Sequence, residues 1–283
     1  MLQIKVNATS ANVCLGFDCL GLALDIANTF TFLKASSYSF TGFDEEFCNE
    51  DNLVCQAYKF TFNKAGVKDV PVSISYKGDI PIARGLGSSS SLIVAGALAA
   101  NYYLGNIYSK EDILNICAQM EGHPDNVAPA IYGGFTASYK VDDKYKCINY
   151  EISYKLHFYV IIPPIKVKTE DARRVLPKSL SYNAAVNNIS RAIHMPLALK
   201  EGNIELLAEL CEDLLHEPYR AKLIDGYDEL KAEAKRCNSV LLISGSGSTM
   251  LVISNDNDLE NKFNSKYGIK RVMPSFGAKV EEI

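Results

Sequence analysis

Three short stretches of this 283-residue chain combine residue types and spacings that could do chemistry. The first is Pro81-Ile82-Ala83-Arg84-Gly85-Leu86-Gly87-Ser88-Ser89-Ser90-Ser91, which runs straight into the apolar segment Leu92 to Ala100. Glycines at 85 and 87 leave backbone N–H groups unobstructed, and a helix starting after Ser88 points its positive end at whatever they hold. Loop plus helix N-terminus is the physical recipe for a phosphate site. The spacing is neither that of a Walker A loop nor that of a dinucleotide fingerprint. A Gly/Ser connector capping an ordinary helix has the same composition, so the loop alone decides nothing.

The second stretch is Glu121-Gly122-His123-Pro124-Asp125-Asn126. Glu121 falls at a helix C-terminus, where its charge opposes the macrodipole, so it is either a surface residue or one kept for a task such as a divalent cation. His123 by itself reads as a loop histidine. The third stretch is Ala8 to Leu24, with Asn12 and Asp18 in a Gly-containing loop after the first strand. Cys14 and Cys19 in that loop read as buried small hydrophobes, because no His or basic residue adjoins them to lower a thiol pKa.

These stretches sit in a chain that is 48% hydrophobic and 22% charged, ample for a core of one or two domains. Lys+Arg 29 against Asp+Glu 33 gives a net charge of -4, which does not concentrate nucleic acid or anionic lipid by bulk field. No nucleic-acid or membrane partner is expected. The eight cysteines form no C-x-x-C pair and no zinc spacing, and the first thirty residues do not read as a signal peptide. Together these features predict a reduced, cytoplasmic protein.

The elements that must position the three stretches alternate between strand and helix. Residues 2–8, 28–43 and 70–76 read as strands. The segment after Ser91 is apolar on nearly every side, which predicts a central buried helix. Ser109 and Asp112 predict a capping box, followed by Ile113, Ile116, Cys117 and Met120 on one helical face and a stop at Gly122. Asp142-Asp143-Lys144, or a little beyond, reads as a soft boundary, dividing the chain into 1–150 and 151–283. The second part predicts a strand at 158–162, helices at about 182–195, 204–215 and 226–237, and a hairpin around Ser244-Gly245-Ser246-Gly247-Ser248-Thr249. That order gives an α+β fold.

Taken together, Pro-x-x-x-Gly-Leu-Gly-Ser-Ser entering a helix, the segment Ala8 to Leu24, the run Asp125 to Gly134 and the turn 244–249 resemble one family. It is the GHMP small-molecule kinases (galactokinase, homoserine kinase, mevalonate kinase, phosphomevalonate kinase), and the N-terminal segment is most similar to its homoserine kinase members. The resemblance implies the GHMP kinase fold, with an N-terminal ribosomal protein S5 domain 2-like half that binds ATP and a C-terminal ferredoxin-like α/β half. It implies that Pro81 to Ser91 cradles ATP with Asn52 on the adenine side, and that Ser89 and Glu121 hold Mg2+. It implies that Asn12, Asp18, His123, Thr169, Arg173, Arg220 and Gly245 surround L-homoserine, with Arg220 on its carboxylate and Asp18 on its ammonium. Asn126, Arg173 and Asp125 then stand at the reacting groups, the first two positioning and stabilising, with the identity of any proton acceptor open. Arg174 reads as an exposed neighbour.

The implied reaction is phosphorylation of the homoserine hydroxyl to O-phospho-L-homoserine, a step of threonine biosynthesis. A mevalonate-type kinase is the alternative enzyme, and a catalytically inactive ligand-binding regulator on the same fold is the alternative of another class. A homodimer is left open.

Overall fold

A computed structural model describes residues 1–283. The first strands are β1 (Leu2–Ala11), β2 (Leu20–Lys34) and β3 (Ser39–Thr41), followed by helix α1 (Leu53–Lys64) and β4 (Val72–Gly78). Helices α2 (Ser88–Tyr103), α3 (Lys110–Glu121) and α4 (Val127–Tyr132) come next, then the hairpin β5 (Phe135–Val141) and β6 (Lys144–Tyr150). The second half holds β7 (His157–Ile161), α5 (Thr169–Arg174), α6 (Tyr182–Ala192), α7 (Met195–Glu201), α8 (Ile204–Leu210), α9 (Glu217–Arg220) and α10 (Tyr227–Arg236). It closes with β8 (Val240–Ile243), β9 (Met250–Ser254), β10 (Lys270–Val272) and β11 (Lys279–Glu282).

One sheet runs β11-β1-β2-β4-β3, with the β5–β6 hairpin joined to the start of β2. β2 is long enough to serve two neighbours, pairing β5 through Leu20–Leu22 and β4 through Asn28–Lys34. It therefore begins eight residues before the expected 28. Leu20 to Leu24 is buried throughout, so it shows no alternation from which a strand could be recognised. The expected strand 28–43 is in turn broken at Lys34, and β3 pairs parallel to β4.

Helices α1 to α4 cover this sheet around a core that includes Phe30, Phe32, Tyr58, Phe62 and Ile93. α2 is buried along most of its length, as its apolar composition predicts. The capping box at Ser109 and Asp112 is present, and α3 ends at Gly122 in the left-handed region.

The second sheet, β10-β7-β9-β8, is antiparallel throughout. Phe158 and Val160 face a core shared with the first half, while Tyr159 and Ile161 face α10, which explains the unbroken apolar run. The hairpin around 244–249 is present.

Asp142 and Asp143 are the left-handed turn of the β5–β6 hairpin, and residue 150, where the division was expected, is the end of β6. A further element boundary differs from expectation. The 204–215 helix stops at Leu210, because the Asp213 carboxylate accepts the backbone N–H groups of Leu215, His216 and Glu217 and so starts α9. The last strand also departs from a clean division at 150, since β11 pairs with β1 in the first sheet. No helix is long and apolar enough to cross a membrane.

Candidate active site

A cavity of about 590 Å³ lies where the two halves meet, lined by residues of both. At one end is the N-terminus of α2. Gly85 and Gly87 both have positive φ, +76° and +68°. Access for an anion is only part of the reason. A Cβ on Gly85 would stand 2.1 Å from the Ser244 carbonyl oxygen, and one on Gly87 would stand 2.0 Å from Thr9 Oγ1. The loop is therefore pressed between β1 and the 244–249 turn, and a side chain at Gly87 disturbs the fold as well as any ligand.

Ile82, Ala83, Arg84, Gly85, Gly87, Ser88 and Ser89 line the cavity; Pro81, Leu86, Ser90 and Ser91 do not. Leu86 is in the core. Ser91 Oγ donates to the Ser88 carbonyl and accepts from Asn28, while Ser90 Oγ donates to Glu121 Oε1 at 3.0 Å. Asn52 borders the cavity with its polar atoms already engaged, since Oδ1 accepts from Val54 N and Nδ2 donates to the Phe47 carbonyl. It caps α1. Near it the wall is aromatic, with Phe43 stacked on Tyr76 at 4.8 Å between centroids and Phe47 beside them. Sequence reasoning missed these three rings, because aromatic residues in and around strands read as core.

Glu121 lies against the first turn of α2. Its Oε2 accepts from Ser89 Oγ at 3.1 Å, so the two residues expected to share a cation are neighbours. Burial pushes the Glu121 carboxyl above the ordinary range, against the opposing pull of His123 and the two serine hydroxyls.

Asn12, Asp18, His123, Asp125, Asn126, Thr169, Arg173, Arg220 and Gly245 all line the same cavity. The loop between β1 and β2 carries Asn12 and Asp18 on left-handed backbone, and Asn12 Oδ1 accepts from Asp18 N at 3.1 Å. Arg173 grips Asp18 with two hydrogen bonds, of 2.6 and 3.1 Å. His123 contacts Asp125, whose Oδ1 also accepts from Asn126 N. Burial would lower the His123 pKa, but the hydrogen bond and charge of Asp125, helped by Asp18, outweigh it and the net shift is upward. Thr9 Oγ1 donates to Asn126 Oδ1 at 2.7 Å, leaving the amide nitrogen as the free end. Thr9 joins the site as a support that reads in sequence only as part of a strand.

Arg220 is 2% exposed and pairs with neither nearby acid, Glu217 or Asp225. Glu217 accepts from Tyr227, Lys231 and Ile243 N, and Asp225 from Lys266 and Tyr267. The guanidinium instead donates to the carbonyls of Ala172 at 3.2 Å and Gly245 at 2.8 Å. Burial and the nearby Arg173 charge lower its pKa to about 10. Arg174 is exposed and pairs with Asp171.

Asp18, His123 and Asp125 also place ligand atoms within 4.8 Å of one another, a cation-sized spacing. Asp18 is committed to Arg173, however, and His123 to Asp125. Ser89 and Glu121 are the better oxygen pair for a hard cation. Cys14 is buried as expected, while Cys19 is exposed. Both thiols are pushed up, Cys14 first by its contact with Cys211 and Cys19 by desolvation, so neither is a ready nucleophile.

Comparison with known proteins follows the same lines. The family models "GHMP kinases N terminal domain" and "GHMP kinases C terminal" match residues 52–134 and 197–268. A homoserine kinase of Clostridium beijerinckii is 41% identical over 269 residues, covering 94% of this chain and 90% of that protein. The crystal structure of a homoserine kinase from Cytophaga hutchinsonii superposes with a TM-score of 0.86 at 28% identity, covering 99% of this chain and 97% of the other. A putative homoserine kinase of Listeria monocytogenes gives a TM-score of 0.83 at 29% identity over the full length of both chains.

Proposed function

The chain belongs to the GHMP kinase family, among its homoserine kinases, and from that premise we propose that it transfers the γ-phosphoryl group of ATP to the side-chain hydroxyl of L-homoserine. The product is O-phospho-L-homoserine, on the route to threonine. The observation within the molecule that supports this acceptor best is Arg220, a buried cation held by carbonyls and open to the cavity. A substrate carboxylate completes its set of partners. Asp18, held in place by Arg173, offers the negative charge that an ammonium needs. Mevalonate has a carboxylate but no ammonium, so that acceptor makes no use of the Asp18 carboxylate beyond its existing pair with Arg173.

The roles divide by place. Backbone N–H groups at Gly87 to Ser89 and the positive end of α2 bind the phosphates. Ser89 and Glu121 are an all-oxygen pair, which fits Mg2+, and Mg2+ when bound neutralises charge on the transferring group. Phosphoryl transfer depends mostly on alignment and charge stabilisation. Asn126 is fixed through Thr9 so that its amide faces the cavity, and Arg173, paired with Asp18, lines the same cavity with donors left for the transferring group. Asp125 is engaged by His123 and by Asn126 N, so its task is to hold that turn. The presence of Ser89 and Glu121 argues against an inactive regulator. Eight free cysteines support a location in the reducing cytoplasm.

ADP release with Mg-ATP and a panel of homoserine, serine, threonine, mevalonate and galactose tests the reading. Homoserine is expected to be turned over far faster than the other four. Faster turnover of mevalonate, or turnover of none, overturns it.

A further inference from the structure

One side chain beside the two arginines has no task in the account above. Phe17 is partly buried on the β1–β2 loop, next to Asp18. The guanidinium carbon of Arg173 lies over its ring at 5.4 Å from the centroid, and that of Arg220 at 5.1 Å. The fully buried ring of His216 packs on it at 5.5 Å. His216 Nε2 also meets the Cys14 carbonyl oxygen at 2.6 Å, so the loop is clamped to the segment that leads into Arg220.

Two guanidinium groups brought together repel. Arg173 is neutralised by the Asp18 carboxylate, but Arg220 reaches only carbonyl oxygens. An aromatic face carries partial negative charge and attracts a cation most strongly where water is excluded. Phe17 offers such a face to both cations at once.

We propose that Phe17 is a positioning residue for the acceptor: its ring sets the planes of Arg173 and Arg220, so that the free N–H groups of Arg220 face the incoming carboxylate. The ring also gives Arg220 a direct electrostatic contact before any substrate arrives, beside the more distant charges of Asp18, Asp125 and Asp213. ATP is assigned other partners in this reading, the backbone N–H groups of Gly87 to Ser89 rather than the two arginines. The proposal rests on the amino-acid reading of the site, and it concerns binding of the acceptor rather than the transfer step.

Phe17→Leu keeps an apolar side chain and removes the π face, whereas Phe17→Tyr keeps the face. Steady-state kinetics of the full chain are expected to give Phe17→Leu a homoserine KM raised about tenfold. Its ATP KM and its kcat at saturating homoserine stay within about twofold of wild type. Phe17→Tyr stays within about twofold in all three. A fall in kcat with both KM values unmoved, or equal losses in Leu and Tyr, overturns the proposal, because either is what a merely structural ring would give.

A second readout does not depend on the acceptor. In substrate-free protein carrying labelled arginine, the Nε–H proton signals of Arg173 and Arg220 should move downfield in Phe17→Leu as the ring current is lost. Unmoved signals overturn the proposal even if wild type phosphorylates homoserine. Moved signals in a wild type that ignores homoserine support the ring's hold on the arginines and locate the failure in the substrate reading.

Discussion

Arg220 is a charged side chain with a buried head, and its orientation depends on the fork shape of the guanidinium. Nε reaches the Ala172 carbonyl while a terminal nitrogen reaches that of Gly245. A lysine ammonium cannot make both contacts and also meet a carboxylate edge-on. Loss of a charge-assisted contact costs about 1.5–3 kcal/mol, roughly one to two decades in binding. Arg220→Lys should therefore raise the homoserine KM by that factor and leave the ATP KM nearly unchanged, while Arg174→Lys changes neither. Measuring both constants for both variants checks this, and an unmoved homoserine KM removes Arg220 from the site. Asn12, Asp18, His123 and Arg220 were legible only through the family resemblance, since His123 alone reads as a loop histidine, and the structure gathers all four at one cavity. Thr9, Phe17, Phe43 and Tyr76 were not legible. Their tasks are to support or to wall a cavity, and nothing in a strand or loop sequence separates that from ordinary packing.

Helix ends explain why Glu121 stands where it does. It closes α3, where the carbonyl end repels a carboxylate, yet its oxygens accept hydroxyl bonds from Ser89 and Ser90 in the first turn of α2. The helix it closes is unfavourable for it and the start of α2 is favourable. The net result is a carboxyl raised by burial. Such a group binds protons on folding. Its stabilising contribution is complete below the unfolded value of about 4.3 and is lost as pH rises through the folded value. Ionising Glu121 in the folded protein is a cost. Glu121→Gln should raise the melting temperature at pH 7 by about 1–3 °C, with the gap closing near pH 4. Turnover at limiting Mg2+ should fall at least tenfold, partly restored at high Mg2+. Calorimetry at the two pH values and a Mg2+ titration of rate check both halves, and unchanged turnover makes Glu121 a structural residue only. Elements with caps and clear periods, such as α3, were legible. The start of β2 was hidden by burial on both faces, and the end of α8 by Asp213, whose capping of α9 depends on a backbone turn that no periodicity records.

The whole molecule is joined at its site. Thr249 N donates to the Arg84 carbonyl, Gly245 N to that of Ala11, and Ser244 Oγ to that of Gly85, so the loop proposed to bind the phosphates is also the seam between the halves. Gly85→Ala places a methyl group 2.1 Å from a backbone oxygen at φ +76°. It should lower stability by about 1–3 kcal/mol and raise the ATP and homoserine KM values together. Denaturant unfolding with paired kinetics checks this, and an ATP-only defect at full stability shows that the seam is not stressed. The first sheet has a related property in β11, which pairs residue 2 with residue 282. On a translating ribosome, β1 emerges well before the strand that flanks it. At about 5–20 residues per second, that edge stays open for roughly 15–55 s. For that interval the nascent chain presents the backbone N–H and C=O groups of residues 2–5 on an unpaired border, a natural docking point for a holdase chaperone and the stage at which aggregation competes with completion of the sheet.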